Sequence, residues 1–123
     1  MIVGLGCDLA EIERLRRAVS RPGFLDKVFT PAEQREAARY REPWAYYAGR
    51  WAAKESAAKA LGCGFGADCA PAEIEILHGE KGEPVLAFSG AAAERFRRLG
   101  AARCHLSISH DGGCAMAVAI LED

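Results

Sequence analysis

Apolar residues recur along this chain at two spacings, one suited to strands and one to helices. Met1 to Ala10 is short, apolar and glycine-containing, which predicts a buried strand. From Glu11 to Ser20 the period becomes helical, with Ile12, Leu15 and Val19 on one face, and Arg21-Pro22-Gly23 stops it. A second helix starts at Thr30-Pro31-Ala32-Glu33: the threonine caps, the proline suits the first turn and the acidic side chain favours that end. It is expected to fray before Pro43. Pro43 opens the longest helix, which runs to about Leu61 and ends in Gly62-Cys63-Gly64-Phe65-Gly66. Strand alternation follows over Glu73–Leu77 and Glu83–Phe88, with Gly79-Glu80-Lys81-Gly82 as the turn. Ser89 is placed to cap a short helix ending near Gly100. Arg103–His110 and Cys114–Leu121 complete a hairpin about Asp111-Gly112-Gly113. The order β-α-α-α-β-β-α-β-β predicts one α+β domain over residues 1–123, its helices packed on a mostly antiparallel sheet.

Composition narrows the function. The chain has 123 residues, 50% of them hydrophobic and 27% charged, enough for one sizeable core and incompatible with wholesale disorder. Sixteen Lys and Arg against seventeen Asp and Glu give a net charge of -1, so no whole-surface preference for nucleic acid is expected, although a local basic patch stays open. No apolar run approaches the roughly 18 residues of a membrane span. The first residues lack the basic start and long apolar stretch of a signal peptide, and the chain is expected in the cytosol. Its five cysteines are scattered without a C-x-x-C pair, as befits reduced thiols acting as small hydrophobes.

Candidate chemistry begins at Asp8, near the end of an apolar strand. Asp8 and Glu11 have the spacing of a capping box, which would make Asp8 a plain helix cap. The alternative is a carboxylate held for a hard cation such as Mg²⁺. On the long helix, Trp44, Ala48, Trp51, Glu55, Ala58 and Gly62 share one stripe, with Lys59 beside it. A carboxylate among tryptophans is costly unless a cation or hydrogen-bond donors satisfy it, which disfavours a simple exposed Glu55–Lys59 pair. A metal on Glu55 and Asp8, with Lys59 near an anionic substrate, suits phosphate chemistry. Arg50, Lys54, Ala57 and Leu61 line the opposite side, where the two cations either face water or reach phosphates.

Other features carry less. His105, Ser107 and Ser109 share one strand face, able to bind an anion or merely to face water. Alternation puts His105 opposite Cys104 and His110, which argues against one zinc site, and no G-x-S-x-G elbow supports a serine hydrolase. The glycines after Leu61 follow a helix, not the strand that a dinucleotide loop needs. Arg14, Arg17 and Arg21 align on the first helix away from its apolar face, as a solvated surface or as a site for an acidic partner.

Three segments together resemble the holo-acyl-carrier-protein synthase family of small bacterial 4'-phosphopantetheinyl transferases. Gly4-Leu5-Gly6-Cys7-Asp8 through Arg14 is similar to its G-x-G-x-D opening, and Lys54-Glu55-Ser56-Ala57-Ala58-Lys59-Ala60 to its K-E-[AS]-x-x-K-A core. His105-Leu106-Ser107-Ile108-Ser109-His110 is similar to its H-x-S-[IL]-[ST]-H strand, and Phe29-Thr30-Pro31-Ala32-Glu33 also fits. The likeness spans essentially the whole chain.

The resemblance implies a phosphopantetheinyl transferase fold and a homotrimer with sites between subunits. It implies Mg²⁺ on Asp8 and Glu55 with the coenzyme A pyrophosphate, and Lys59 on the phosphates. Arg50 and His105 are implied at the 3'-phosphate ADP portion, Pro84 against the adenine, and Arg14, Arg17 and Arg21 at an acidic carrier protein. One departure is Gly82-Glu83-Pro84, where the family commonly has G-K-P, so a phosphate contact from that turn is not expected. The implied reaction moves phosphopantetheine from coenzyme A to a serine of apo acyl carrier protein and releases 3',5'-ADP. The serine proton could go to metal-bound water, Glu55 or His110. Rival readings are a non-catalytic coenzyme A or carrier-protein binding module, and an Mg²⁺-dependent nucleotide phosphotransferase, for which no G-x-x-x-x-G-K-[ST] is present.

Overall fold

The computed structural model describes residues 1–123. Strand β1 (Ile2–Glu11) leads into α1 (Ile12–Val19), α2 (Phe24–Val28), α3 (Pro31–Ala37) and the long α4 (Trp44–Ala60). A 3₁₀ turn at Pro71–Glu73 precedes β2 (Ile74–His78), β3 (Pro84–Phe88), α5 (Gly90–Arg98), β4 (Arg103–Asp111) and β5 (Cys114–Glu122). All strand pairs are antiparallel, but they divide into a three-stranded sheet of order β1-β5-β4 and a separate β2-β3 hairpin. Gly112 and Gly113, with φ of 57° and 78°, make the two-residue turn that brings β4 back as β5. No helix is long and apolar enough to cross a membrane.

Helix α4 organises the rest. Its Ala48, Ala52, Ala53, Ala57 and Ala58 are fully buried, facing Ala115, Ala117, Ala119 and Leu121 of β5 within one core. Small residues on both surfaces let the helix lie close on the sheet. Glycine takes this to its limit in β1, where a Cβ at Gly6 would overlap the carbonyl oxygen of Ser56 and one at Gly4 that of Ala60. Ser56 Oγ shares its one proton between Ala52 O at 2.7 Å and Ala117 O at 2.9 Å, tying helix to sheet.

The side of α4 that bears Arg50 and Lys54 is not solvated surface. Lys54 is fully buried, its Nζ 2.8 Å from Glu33 Oε1 and donating to the carbonyls of Pro71 (2.9 Å) and Ile74. Burial pulls the Lys54 pKa down, and the Glu33 carboxylate opposes that shift. Glu33 is equally buried and also accepts from Thr30 N and Ile76 N, each at 2.9 Å. The capping box at Thr30 forms as expected, so one carboxylate both starts α3 and anchors α4 and β2.

Two local readings fail, and one helix goes unforeseen. Asp8 is no helix cap, because β1 runs through it to Glu11, whose side chain caps nothing. The helix from Thr30 ends at Ala37, before Pro43 as expected, but α2 fills the preceding segment without any long apolar period to announce it. Ser89 occupies the N-cap of α5 without a side-chain bond; Glu73 Oε2 instead accepts from Ala91 N at 2.7 Å. A carboxylate from the 3₁₀ turn thereby replaces the local hydroxyl.

Removing one member of a buried ion pair strands the other charge. K54M and E33Q are each expected to destabilise the protein by about 3–5 kcal/mol, and the double variant by clearly less than their sum. Urea unfolding of all four proteins measures that coupling.

Candidate active site

The register of β1 places Gly4, Gly6, Asp8 and Ala10 toward α4, and Leu5, Cys7 and Leu9 outward. Asp8 therefore arrives at α4 on a backbone pressed against that helix. Lys59, one turn beyond Glu55, donates from Nζ to Cys7 O at 2.9 Å and lies 3.3 Å from Asp8 Oδ1. Burial lifts the Glu55 pKa, the neighbouring Asp8 carboxylate adds to the rise, and Lys59 and Arg14 oppose it. Two carboxylates thus stand together with two cations beside them. Arg14, aligned in the sequence only with a partner-binding row, reaches this pair from α1. Two carboxylates on separate rigid elements, β1 and α4, are a hard-oxygen donor set that fits Mg²⁺.

A second cluster lies on the other side of α4. Five residues separate Arg50 from Glu55, about 140° around the helix axis. Arg50 is 7% exposed and opens with His78, Gly82, Pro84, Ile108 and His110 onto a cavity of about 180 Å³. Its Nη2 is 2.9 Å from His78 Nε2, and its guanidinium carbon lies 4.4 Å from the centre of the Tyr46 ring. Buried Arg50 Nε has no acceptor in the protein, which suits a cavity that takes an anion. Arg50 and Pro84 thus line the same cavity. His78 was missed, since a lone histidine at a strand end gives no periodic signal. His110 donates from Nε2 to Ala45 O at 3.0 Å, packing against Gly49, where a Cβ would come within 2.9 Å of the ring.

His105 belongs to neither cluster in one chain. It stands on the outer sheet face with exposed Ser107 and Ser109, and its Nε2 is 3.0 Å from Glu122 Oε1, which Arg103 also approaches at 3.1 Å. These two partners hold the Glu122 pKa below its ordinary value, His105 contributing most. Glu83 turns back on its own loop, accepting from Lys81 N at 2.9 Å, so its charge braces the turn beside Pro84. Arg14, Arg17 and Arg21 are all exposed on or just beyond α1, Arg21 lying 5.6 Å over the Phe24 ring.

Comparison with known proteins identifies the family. A family model described as the 4'-phosphopantetheinyl transferase superfamily matches residues 4–119. The holo-[acyl-carrier-protein] synthase of Desulfovibrio desulfuricans is 44% identical over 99% of this chain and 98% of its own. The crystal structure of that enzyme from Neisseria meningitidis superposes with a TM-score of 0.90 at 31% identity, covering 100% of both chains. The enzyme from Bacillus anthracis, solved in complex with CoA (3',5'-ADP), gives 0.83 at 32% identity over 98% of this chain and 96% of that one. The chain belongs to the holo-[acyl-carrier-protein] synthase family within the 4'-phosphopantetheinyl transferase superfamily, and it is an enzyme of that class.

The carboxylate pair has a measurable cost. Folding raises the Glu55 pKa above its ordinary 4.5, so the native state holds that proton more tightly than the unfolded chain does. Stability from this group is full below pH 4.5 and is lost as pH rises through the native pKa. E55Q is therefore expected to unfold at a higher urea concentration than the native protein at pH 7 in EDTA, with the difference shrinking toward pH 4.5.

Proposed function

We propose that this enzyme transfers 4'-phosphopantetheine from coenzyme A to a serine of apo acyl carrier protein, releasing 3',5'-ADP, in an Mg²⁺-dependent reaction. The observation that carries this reading is the pairing of Asp8 with Glu55 beside Lys59 on two backbones in direct contact. In this reading Asp8 and Glu55 hold the Mg²⁺, which when bound supplies charge neutralisation at the pyrophosphate. Lys59 binds the transferred phosphate and offsets negative charge that develops as 3',5'-ADP departs. Glu55 accepts the serine proton in this reading, because His110 is engaged with Ala45 O in the Arg50 cavity. Arg50 takes the 3'-phosphate and Pro84 packs on the adenine. Arg14, Arg17 and Arg21 offer the acidic carrier protein a basic row, with Arg14 at the point where that row meets the carboxylates. The enzyme would act in the cytosol and supply fatty-acid synthesis.

The same reading makes the assembly a homotrimer with shared sites. The carboxylate pair and the Arg50 cavity lie on different sides of α4, and His105 lies on the outer sheet face. Leu5, Leu9 and Met116 on that face are 65%, 67% and 46% exposed, an apolar surface suited to burial against another copy. Docking through it would bring one copy's His105 face toward a neighbour's site.

Incubation of an apo acyl carrier protein with enzyme, coenzyme A and Mg²⁺ is expected to add one phosphopantetheine by intact mass, with 3',5'-ADP as co-product and no gain in EDTA. Binding of coenzyme A without either product would instead identify a binding module. Sedimentation velocity is expected to give a trimer for the native protein and a monomer for L9E, which loses transfer despite a native-like circular dichroism spectrum. A fully active monomer would overturn the shared site.

A further inference from the structure

At the cavity on the Arg50 side of α4, Arg50 ends a three-residue chain whose other two members, Glu36 and His78, the transfer reaction leaves without a role. Glu36 Oε1 lies 3.2 Å from His78 Nδ1, and His78 Nε2 lies 2.9 Å from Arg50 Nη2. A guanidinium can only donate, so Nε2 must be the acceptor. The ring proton then sits on Nδ1 and points at the Glu36 carboxylate, which fixes the tautomer and the plane of the ring. Arg50 is thereby held along one edge by His78, while the Tyr46 ring covers its face at 4.4 Å. Only its unpartnered Nε remains as a buried donor without an acceptor in the protein.

His78 also separates two opposite charges. The imidazole fills the space between Glu36 Oε1 and Arg50 Nη2 and touches both. With His78 between them, the carboxylate orients the ring, the ring orients the guanidinium, and the positive charge stays available to an anion.

We infer that Glu36 and His78 are positioning residues that aim Arg50 at the 3'-phosphate, and so set this enzyme's preference for coenzyme A over 3'-dephospho-coenzyme A. The inference rests on the proposed role of Arg50 and extends it to two residues outside the recognised motifs.

Steady-state kinetics with both cofactors test it, using R50A as the reference. H78F is expected to raise KM for coenzyme A about tenfold, the scale of a lost hydrogen bond to a charged group, and to move KM for 3'-dephospho-coenzyme A less than twofold. H78Q, whose amide oxygen can replace Nε2 as acceptor, should restore the native preference. E36A should narrow the preference by a smaller factor, and it carries the test if H78F does not fold. Equal effects of H78F on both cofactors, or an H78Q variant as impaired as H78F, would overturn the positioning role. If R50A itself leaves the preference unchanged, the assignment of Arg50 to the 3'-phosphate fails first and the inference falls with it.

Discussion

The buried Lys54–Glu33 pair is the interaction on which the layout depends. It joins α4 to the start of α3, and through Pro71 O, Ile74 O and Ile76 N it also fixes the 3₁₀ turn and β2. Neither charge has access to water, so each is tolerable only because the other and several main-chain groups complete its shell. Such a pair accepts one arrangement of four segments and penalises others. The β2-β3 hairpin, which is not hydrogen-bonded into the main sheet, owes its position beside α4 to this clamp. That position in turn creates the cavity of Arg50.

Helix α4 separates two kinds of chemistry. Its β1 side presents oxygen ligands and Lys59, suited to a cation and the phosphates around it. Its hairpin side presents Arg50 and two imidazoles, suited to an anion alone. Both needs arise in a substrate that carries a pyrophosphate and a distant phosphate. The two sets stand about 140° apart around one helix, and the outer sheet face carries His105 as a third group.

Much of this was legible in the sequence where the signal was local. The capping box at Thr30 and Glu33, the strand alternation of β2 to β5 and the glycine stop after α4 each rest on a few adjacent residues. The stripe containing Glu55 correctly marked a carboxylate in partly apolar surroundings. Lys54 was ambiguous because helical periodicity says which residues share a side but not what covers it, and its cover comes from residues 33 and 71–76. Asp8 was ambiguous for the converse reason: a local capping pattern competed with strand pairing to β5, and the ladder prevailed. His78 had no local signature at all, since its role depends on Glu36 and Arg50, both far from it along the chain.

The contact between β1 and α4 has a consequence for how this sequence can change. Gly4 and Gly6 meet carbonyl groups directly, so the separation of the strand from the helix is set by main chain against main chain. Asp8 and Glu55 inherit their spacing from that contact and not from the rotamers of intervening side chains. Residues elsewhere in the core can therefore be exchanged over evolutionary time without retuning the distance between the two carboxylates. The chemistry is insulated from drift in the packing around it, provided that two positions stay without a side chain.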